Sequence, residues 1–416
     1  MGAQNVALYD DSVVHEIAVT FDQAAYDAMI ATYASSREKD WIEATVTIDG
    51  VTLGKAGMRL KGTSSLGGLT SRTAGAGRAP VGGATGGNAA EQPQSLPWLV
   101  RLDKYVEGQS YQGHTEIVIR GNRSQTSLNE AVALELTALA GLATQEAFAT
   151  RFSVNGGPKV LRLAMEHPND EWQEATFEGD GILYKAKSSG DYSYRGEDPE
   201  AYDEVFDQEI DTDDENLAPL IDFLDFLNNS TDAAFAAELG RHLDVDAFAR
   251  YLALQELLGN WDDIDGPGNN SYLRYDEETK RFTVLSWDLN LAFGGGGPSG
   301  AGPGGGPSGA GGPVIRTFPA GGGPAPADVG VARAGGPGPG GPGGRSNVLV
   351  QRFQANAAFA ALYTKAKADL TAELLTSGKG AAVLDRWAGM LTTHAADLVD
   401  PGTIAAEADA IRQQLD

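Results

Sequence analysis

Residues 257–294 read LLGNWDDIDGPGNNSYLRYDEETKRFTVLSWDLNLAFG, and this stretch decides the fold. Residues 271–276 and 281–286 are rich in Tyr, Phe, Val and Leu, a composition that predicts two β-strands. The connection between them is short enough for a hairpin turn. If the start of the first strand lies opposite the end of the second, Asn270 enters the hairpin beside the exit at Asp288. An amide and a carboxylate would then converge at one end of a rigid two-stranded unit.

An acidic loop lies just upstream of the hairpin. Asp262, Asp263 and Asp265 follow a segment with helical periodicity, residues 245–258. The order along the chain is therefore helix, acidic loop, asparagine, hairpin and aspartate. Protein kinases arrange their phosphoryl-transfer centre in this order, with a catalytic Asp, an Asn for metal, and a metal-binding Asp after a hairpin. From composition alone, an ordinary acidic turn or half of a calcium-binding loop is the alternative.

Composition excludes several classes of function. The chain has 416 residues, of which 42% are hydrophobic, enough for a large core and two lobes or domains. Its net charge of −26 would repel polyphosphate and argues against nucleic-acid binding. The chain has no cysteine for a thiolate zinc site, and its five histidines lack metal-binding spacing. No apolar run reaches the roughly 20 residues that a membrane-spanning helix needs.

The two halves of the chain differ in periodicity, which predicts an α+β fold with two lobes. Residues 1–214 form the strand-rich half, and residues 215–416 form the helix-rich half, which contains the hairpin block 262–290. The predicted strands outside the hairpin are 13–20, 43–48, 57–61, 97–103, 115–120, 147–154, 159–166 and 182–186. The predicted helices are 22–33, 128–140, 217–228, 232–240, 245–258, 352–376, 381–398 and 403–415.

Turn and cap signals divide these elements. Asn155-Gly156-Gly157 predicts a hairpin turn, and Ser127 with Glu130 has the spacing of a helix capping box. Residues 294–345 are dominated by Gly and Pro, so this segment buries too little apolar surface to offset its chain entropy. We expect it to be a mobile surface loop. Residues 73–90 are a smaller glycine-rich tract without the GxxxxGK[ST] pattern, which predicts a loop insertion.

The hairpin region resembles the core signature of the CotH (spore coat protein H) kinases, an atypical branch of the protein-kinase-like fold. NWD, GPGNNSYLRY and RFTVLSWDLNLAFG within residues 260–294 are similar to that family's N-x-D, its aromatic strand and its P-W-D-x-[DN]-x-x-F-G. RLKGTSS at 59–65 resembles R-x-[KR]-G-N-S-S. Residues 163–166 and 183–185 resemble the family's L-x-x-E and L-Y-K. The resemblance extends over most of residues 10–400.

This resemblance implies a two-lobed, protein-kinase-like α+β fold. It also implies ATP- and Mg²⁺-dependent phosphorylation of Ser or Thr on a protein substrate, with Mn²⁺ or Ca²⁺ as alternative metals. Asp262 aligns with the aspartate of N-x-D, which makes it the predicted catalytic base. Asp263 and Asp265 compete for that role on sequence alone.

Three residues at the hairpin end are predicted to bind the metal. Mg²⁺ prefers oxygen ligands in an octahedral shell, which carboxylates and amides supply. Asp288 is the first of these ligands, and Asn270 is its partner across the hairpin. Asn290 lies two residues further on and faces the same way as Asp288 if the chain stays extended.

The resemblance also implies residues that hold the nucleotide. Lys185 matches the lysine of L-Y-K on a predicted strand, where a kinase carries its phosphate-binding lysine. Glu166 matches the family's acidic position and is predicted to pair with a lysine in the cleft. Lys61 and Arg59 are alternative cations for the phosphates. Two serines of the same segment are predicted to bind phosphate oxygens: Ser64 and Ser65. A surface salt bridge or a plain turn is the structural alternative for each of these residues.

Departures from the family pattern keep rival functions open. Gln94-Ser95 stands where the family usually has a lysine, and FDQEI at 206–210 replaces its K-T. The alternative function is a catalytically weak or inactive cell-surface binding module of the same fold, including a calcium-stabilised adhesion domain. The resemblance implies a secreted or cell-surface protein. MGAQNVALYDD at the start is no signal peptide, so we expect a natural signal to have been removed.

Overall fold

The computed structural model describes residues 6–62, 64–69, 89–188, 190–210, 215–294 and 347–416. The two glycine-rich tracts that the sequence predicts to be loops lie almost wholly outside these ranges. The described residues form a mixed α+β fold, as predicted. None of the described helices is both long and apolar enough to cross a membrane.

Seven strands of the described residues close into a barrel. These strands are β1 (Val14–Phe21), β2 (Ile42–Ile48), β3 (Val51–Leu60), β4 (Trp98–Arg101), β5 (Glu116–Ile119), β6 (Ala147–Val154) and β7 (Val160–Met165). Their order around the barrel is β1-β2-β3-β4-β5-β7-β6. Neighbouring strands pair antiparallel, except that β1 and β6 pair parallel and so close the barrel.

Alternating side chains explain why these strands form a closed sheet with an apolar interior. In β2, every second residue is buried, as expected for a strand with one face in a core. Trp98, Phe148 and Phe152 are fully buried in the core of the barrel. Asn155 and Gly156 both have positive φ, 50° and 71°, which the tight turn between β6 and β7 requires. The predicted hairpin at this turn is confirmed.

A second sheet of the described residues contains the hairpin. Its four strands are β8 (Gly181–Ala186), β9 (Phe206–Gln208), β10 (Ser271–Asp276) and β11 (Arg281–Ser286), in the order β11-β10-β8-β9. Ser271 pairs with Ser286 and Asp276 pairs with Arg281, which confirms both predicted strands and their register. β8 and β9 precede residue 214, so this sheet includes strands from both sides of the predicted domain boundary.

Helices cover the second sheet and part of the barrel. They are α1 (Gln23–Ser36), α2 (Leu128–Leu139), α3 (Asp170–Thr176), α4 (Ala218–Asn229), α5 (Asp232–His242), α6 (Val245–Leu257), α7 (Val348–Ala355), α8 (Ala357–Leu370), α9 (Lys379–His394) and α10 (Pro401–Leu415). One core joins α2 to α10 with both sheets, from Leu99 in β4 to Leu415 in α10, whereas the buried residues of α1 belong to the core of the barrel. This core holds the hairpin rigidly, because residues on both of its strands are buried in it.

Two local predictions differ from the structure. The predicted helix 352–376 is broken at Asn356, whose side chain accepts hydrogen bonds from the first amides of α8 and so caps a new helix. The capping box predicted at Ser127 is wrong. Ser127 has a left-handed φ of 55° and its side chain makes no cap hydrogen bond, and the Glu130 side chain binds Arg120 instead. The short elements α3 and β9 were not predicted.

Candidate functional site

The hairpin brings Asn270 and Asp288 to the same end of the second sheet. Beyond the last pair of the ladder, the backbone N–H of Trp287 donates to the carbonyl of Asn270 over 3.3 Å. The next residue, Asp288, has a left-handed φ of 56°, which turns the chain out of β11 immediately after this bond. The predicted convergence of an amide and a carboxylate at the hairpin end therefore follows from the observed register.

Asp262 lies against this hairpin end. The Asn270 amide donates from Nδ2 to Oδ2 of Asp262 over 3.0 Å, and the backbone N–H of Gly268 donates to Oδ1 over 2.5 Å. A Cβ atom on Gly268 would lie 2.6 Å from the carboxylate, so the close approach requires a glycine. Burial, with repulsion from Asp288, raises the pKa of Asp262, although the Gly268 hydrogen bond opposes the shift.

The neighbouring carboxylates of the acidic loop are directed elsewhere. Asp263 is fully buried, and its Oδ1 accepts from the backbone N–H of Asp265 over 2.9 Å. Asp265 in turn accepts from the backbone N–H of Asn347, at the start of α7, over 2.6 Å. Both carboxylates therefore fix the loop and the adjoining helix. Asp262 is the one whose hydrogen bond reaches the hairpin asparagine.

Asp288 is held by a buried ion network that the sequence did not predict. Arg120, which follows β5, donates from Nη2 to Oδ1 of Asp288. The same guanidinium binds Glu130 of α2 through Nη2 and Nε, at 2.7 and 3.0 Å. Burial alone would lower the pKa of Arg120, but the carboxylates of Asp288 and Glu130 outweigh it and raise the pKa. Arg120 therefore stays charged and ties the barrel to the metal-binding candidate.

Lys185 points to the same hairpin end. Its ammonium donates to the backbone carbonyls of Asn269 and Ala186, at 2.6 and 2.8 Å, and lies 5.7 Å from the centroid of the Tyr272 ring. Burial lowers the pKa of Lys185 to about 8, an effect that Glu209 and Asp288 only partly offset. Two of its three N–H groups are thus satisfied by the protein.

Lys61 approaches the hairpin from the barrel. Its Nζ lies 5.7 Å from the centroid of the Trp287 ring and 2.7 Å from Nε2 of His167. The other ring nitrogen of His167, Nδ1, lies 2.6 Å from Oε2 of Glu116. Burial, together with the positive charge of Lys61, lowers the pKa of His167, so a neutral imidazole can accept from Lys61 and donate to Glu116. Burial also lowers the pKa of Lys61.

A carboxylate that the sequence did not single out, Glu209, acts on both lysines through its charge. Glu209 follows β9, where its backbone N–H donates to Leu183 over 2.8 Å, and its charge raises the pKa of Lys61 and Lys185 against burial. The sequence marked residues 206–210 only as a departure from the family pattern. A short strand after a Tyr-rich loop was the one available signal for this position.

The Glu166 side chain binds the backbone just before β6. Its Oε2 accepts from the backbone N–H of Glu146 over 2.8 Å. Burial and the charge of Glu146 raise the pKa of Glu166 to about 7. Glu166 lines a cavity of about 40 Å³ together with Tyr9 and Glu171. This cavity is far smaller than the several hundred Å³ that a nucleotide-sized ligand needs.

The remaining predicted residues are placed as follows. Ser65 lies in a short 3₁₀ segment, Ser64–Leu69, with its Oγ packed against Gly62. The side chain of Ser64 lies outside the described residues. Asn290 lies in a 3₁₀ segment after Asp288, and its backbone carbonyl accepts from Asn129 over 2.7 Å. None of these contacts joins the three residues to Lys61 or Lys185.

The donor set at the hairpin end limits what kind of metal site the chain could offer. Within the described ranges, no group of three or more His, Asp or Glu side chains is placed to hold a metal ion. One oxygen of Asp288 is occupied by Arg120, which leaves its second oxygen and the Asn270 carbonyl oxygen. Such a pair fits Mg²⁺ that brings nucleotide phosphates and water as its other ligands, rather than an ion bound by protein alone.

A family model described as CotH kinase protein matches residues 85–402 of the chain. The match covers most of the chain, including the hairpin, the acidic loop, Arg120, Glu130 and Lys185. No curated protein sequence matches.

Proposed function

The chain belongs to the CotH kinase protein family, and from this premise we propose that it transfers a phosphoryl group from ATP, with Mg²⁺, to Ser or Thr of a protein. The observation that carries the proposal is the meeting of Asp262, Asn270 and Asp288 at one end of the β10–β11 hairpin. Phosphoryl transfer asks a protein mainly to position groups and to neutralise spreading negative charge. A rigid hairpin that is fixed in the core supplies such positioning.

Asp262 is the proposed base. The Asn270 amide and the Gly268 N–H orient its carboxylate, and its raised pKa makes it a better proton acceptor than an ordinary aspartate. In this role it would accept the proton of the acceptor hydroxyl as that oxygen attacks the γ-phosphorus, the bond to the β,γ-bridging oxygen breaks and ADP leaves. Asp263 and Asp265 instead maintain the backbone of the loop.

Lys61 and Lys185 are the proposed phosphate ligands. Both ammonium groups are buried, and burial lowers the pKa of each. Nearby carboxylates therefore do not fully compensate either positive charge. A nucleotide triphosphate would supply that charge. Lys185 retains one N–H for a phosphate oxygen, and Lys61 is held over Trp287 by His167.

Asp288 and Asn270 would hold Mg²⁺ together with the phosphates, with Asn290 as a further proposed ligand. When bound, the ion would neutralise charge on the phosphate oxygens. Arg120 keeps Asp288 in place and its charge partly offsets that of the carboxylate. We further propose that the barrel and the second sheet act as the two lobes of a kinase-like enzyme, and that the protein works outside the cell.

A second function is favoured by one observation. The Arg120 guanidinium already occupies Oδ1 of Asp288, which weakens that carboxylate as a metal ligand. A binding module that retains nucleotide affinity without turnover would tolerate this arrangement. The described residues offer no cluster of three acidic ligands, which gives the calcium-stabilised form of this alternative less support.

One experiment separates the two functions. The protein is incubated with labelled ATP and Mg²⁺ or Mn²⁺, and mass spectrometry then locates phosphate on the protein itself and on added acceptor proteins. We expect labelled Ser or Thr with the wild-type protein and strongly reduced labelling with Asp262→Ala. Nucleotide binding by calorimetry without any transfer would favour the binding module, and the absence of both would reject the two functions.

A further inference from the structure

Trp41 lies beneath two cations on the outside of the barrel. It precedes β2, and its ring centroid lies 4.7 Å from Cζ of Arg59 and 5.1 Å from Nζ of Lys104. Both distances are within the range of cation–π attraction. Trp41 and Arg59 are half-buried, whereas Lys104 is exposed. Arg59 and Lys104 therefore lie at the surface over Trp41, which also packs against the main core.

These cations lack acidic partners in the part of the chain that the structure describes. Neither Arg59 nor Lys104 has a carboxylate within ion-pair distance there, and Nε of Arg59 is buried without a hydrogen-bond partner. The nearby carboxylate of Asp103 is occupied by Arg101, at 2.8 Å. Burial lowers the pKa of Arg59, and the charges of Glu116 and Glu209 offset that shift only in part. In a chain with 57 acidic and 31 basic residues, unpaired cations side by side require an explanation.

The positive charges of Arg59 and Lys61 also act on Lys39. Burial, followed by repulsion from Lys61 and Arg59, lowers the pKa of Lys39 to about 8. Arg59 and Lys61 are two residues apart, so they lie on the same side of the chain, while Leu60 between them is fully buried. Arg59 lies over Trp41 and Lys61 lies over Trp287, so this segment connects the two regions.

The backbone is shaped to hold Trp41 and Lys104 flat on β3. A Cβ atom on Gly57 would lie 2.6 Å from Cγ of Lys104 and 2.9 Å from Cε3 of Trp41. A side chain at this position would push both groups off the strand. Beside Lys104, Tyr105 and Val106 are 44% and 37% exposed. The surface therefore combines Trp, Tyr and Arg, the residues that dominate binding energy at protein interfaces.

We propose that this basic-aromatic patch, formed by Trp41, Arg59, Lys104 and Tyr105, binds an acidic segment of the protein acceptor. The occupant follows from charge complementarity, because carboxylates would supply the partners that the cations lack. The proposal rests on the proposed function for the identity of the partner. It adds a specificity: acceptor sites flanked by Asp or Glu would be preferred.

Peptide binding without nucleotide tests the patch independently of catalysis. The probes are fluorescein-labelled peptides with one serine flanked by glutamates, and twins with glutamines or lysines in those positions. Anisotropy should show tighter binding of the acidic peptide, weakened about fivefold by Lys104→Gln and by Arg59→Gln, as expected for an exposed ion pair at the strong end of its range. Lys55→Gln, an exposed lysine on the same strand, is the matched control.

Kinetics then test the role in acceptor choice. Lys104→Gln should raise KM for the acidic acceptor several-fold and leave kcat and the KM for ATP unchanged. Gly57→Ala should have the same effect with no change of charge. Equal binding of the acidic and glutamine peptides, or an unaltered affinity in both charge variants, would overturn the proposal. Displacement of the acidic peptide by ATP alone would also overturn it, because the patch would then belong to the nucleotide site. If the peptides bind as expected and no transfer occurs, the proposed function fails and the patch stands.

Discussion

Arg120 and Asp288 are 168 residues apart in the chain, yet the guanidinium of one donates directly to the carboxylate of the other at the exit of the hairpin. The same guanidinium binds the fully buried Glu130. A single arginine therefore joins the barrel, α2 and the second sheet at the place where the metal-binding candidate stands. Its charge is needed for stability, because removal would leave Glu130 without a partner in a buried position.

Arg120→Gln should be strongly destabilising. Breaking one side of a buried ion pair costs about 3–5 kcal/mol, because the remaining charge is left uncompensated. Urea denaturation measures this loss. Arg101→Gln is the control, since it breaks a half-exposed pair with Asp103 and should cost about 1 kcal/mol or less. Equal losses in the two variants would contradict the importance of the network.

Asp288→Asn should abolish Mg-ATP binding with little loss of thermal stability. The substitution removes the negative charge that would offset Mg²⁺, while Arg120 keeps its buried partner Glu130. Calorimetry with Mg-ATP measures the binding. Asp276→Asn at the opposite end of the same hairpin, where the carboxylate pairs with Arg274 over 2.9 Å, should bind normally. Undiminished binding by Asp288→Asn would place the metal elsewhere.

Asp262→Ala should reduce transfer far more than binding. We expect nucleotide affinity within several-fold of wild type and a rate lower by on the order of 10²–10⁴, the contribution of a positioned base. Asp265→Ala provides the contrast. It removes the acceptor for the N–H of Asn347, the N-cap residue of α7, and should cost about 1 kcal/mol of stability with the rate retained. If Asp265→Ala alone loses transfer, the base is Asp265 and not Asp262.

Nucleotide affinity should fall as the pH rises through about 8, because burial lowers the pKa of Lys185 to about 8 and its charge is lost there. Calorimetric titrations between about pH 6.5 and 9.5 measure this dependence, and Lys185→Arg should remove most of it, since arginine stays charged. Folding responds in the opposite sense. The unfolded chain holds this proton up to the ordinary pKa of 10.5. The free energy of unfolding therefore increases as the pH rises from about 8 toward 10.5. A flat affinity profile in the wild type would separate Lys185 from the phosphates.

The sequence predicted most of the elements because their signals are local. Alternation and aromatic content located the strands of the hairpin, and Asn155-Gly156 required a turn that few other residues permit. The closure of the barrel was not predictable in the same way. It depends on parallel pairing of β1 with β6, which no local pattern specifies. The break at Asn356 was missed because apolar periodicity continues on both sides of it.

The candidate site could be predicted only where its residues are close in the chain. Asp262, Asn270 and Asp288 share one loop and one hairpin, so register alone brought them together. Arg120 and Glu209 come to the site through the tertiary fold. In the sequence, each is a charged residue just after a strand and belongs to no recognisable pattern. Glu166 was selected by its motif position. Such a position specifies a residue type but not the direction of its side chain.

The strand pairing in the second sheet determines whether the two halves of the chain can fold separately. β10 forms hydrogen bonds with β11 on one side and with β8 on the other, and β8 comes from before residue 214. A fragment of residues 215–416 would keep only a two-stranded ribbon, which is marginal in water, and would expose the unpaired edge of β10. Such an edge can pair with strands of other chains. The two halves of the sequence are therefore not separable folding units, and a fragment that lacks residues 181–208 should aggregate rather than yield an isolated catalytic half.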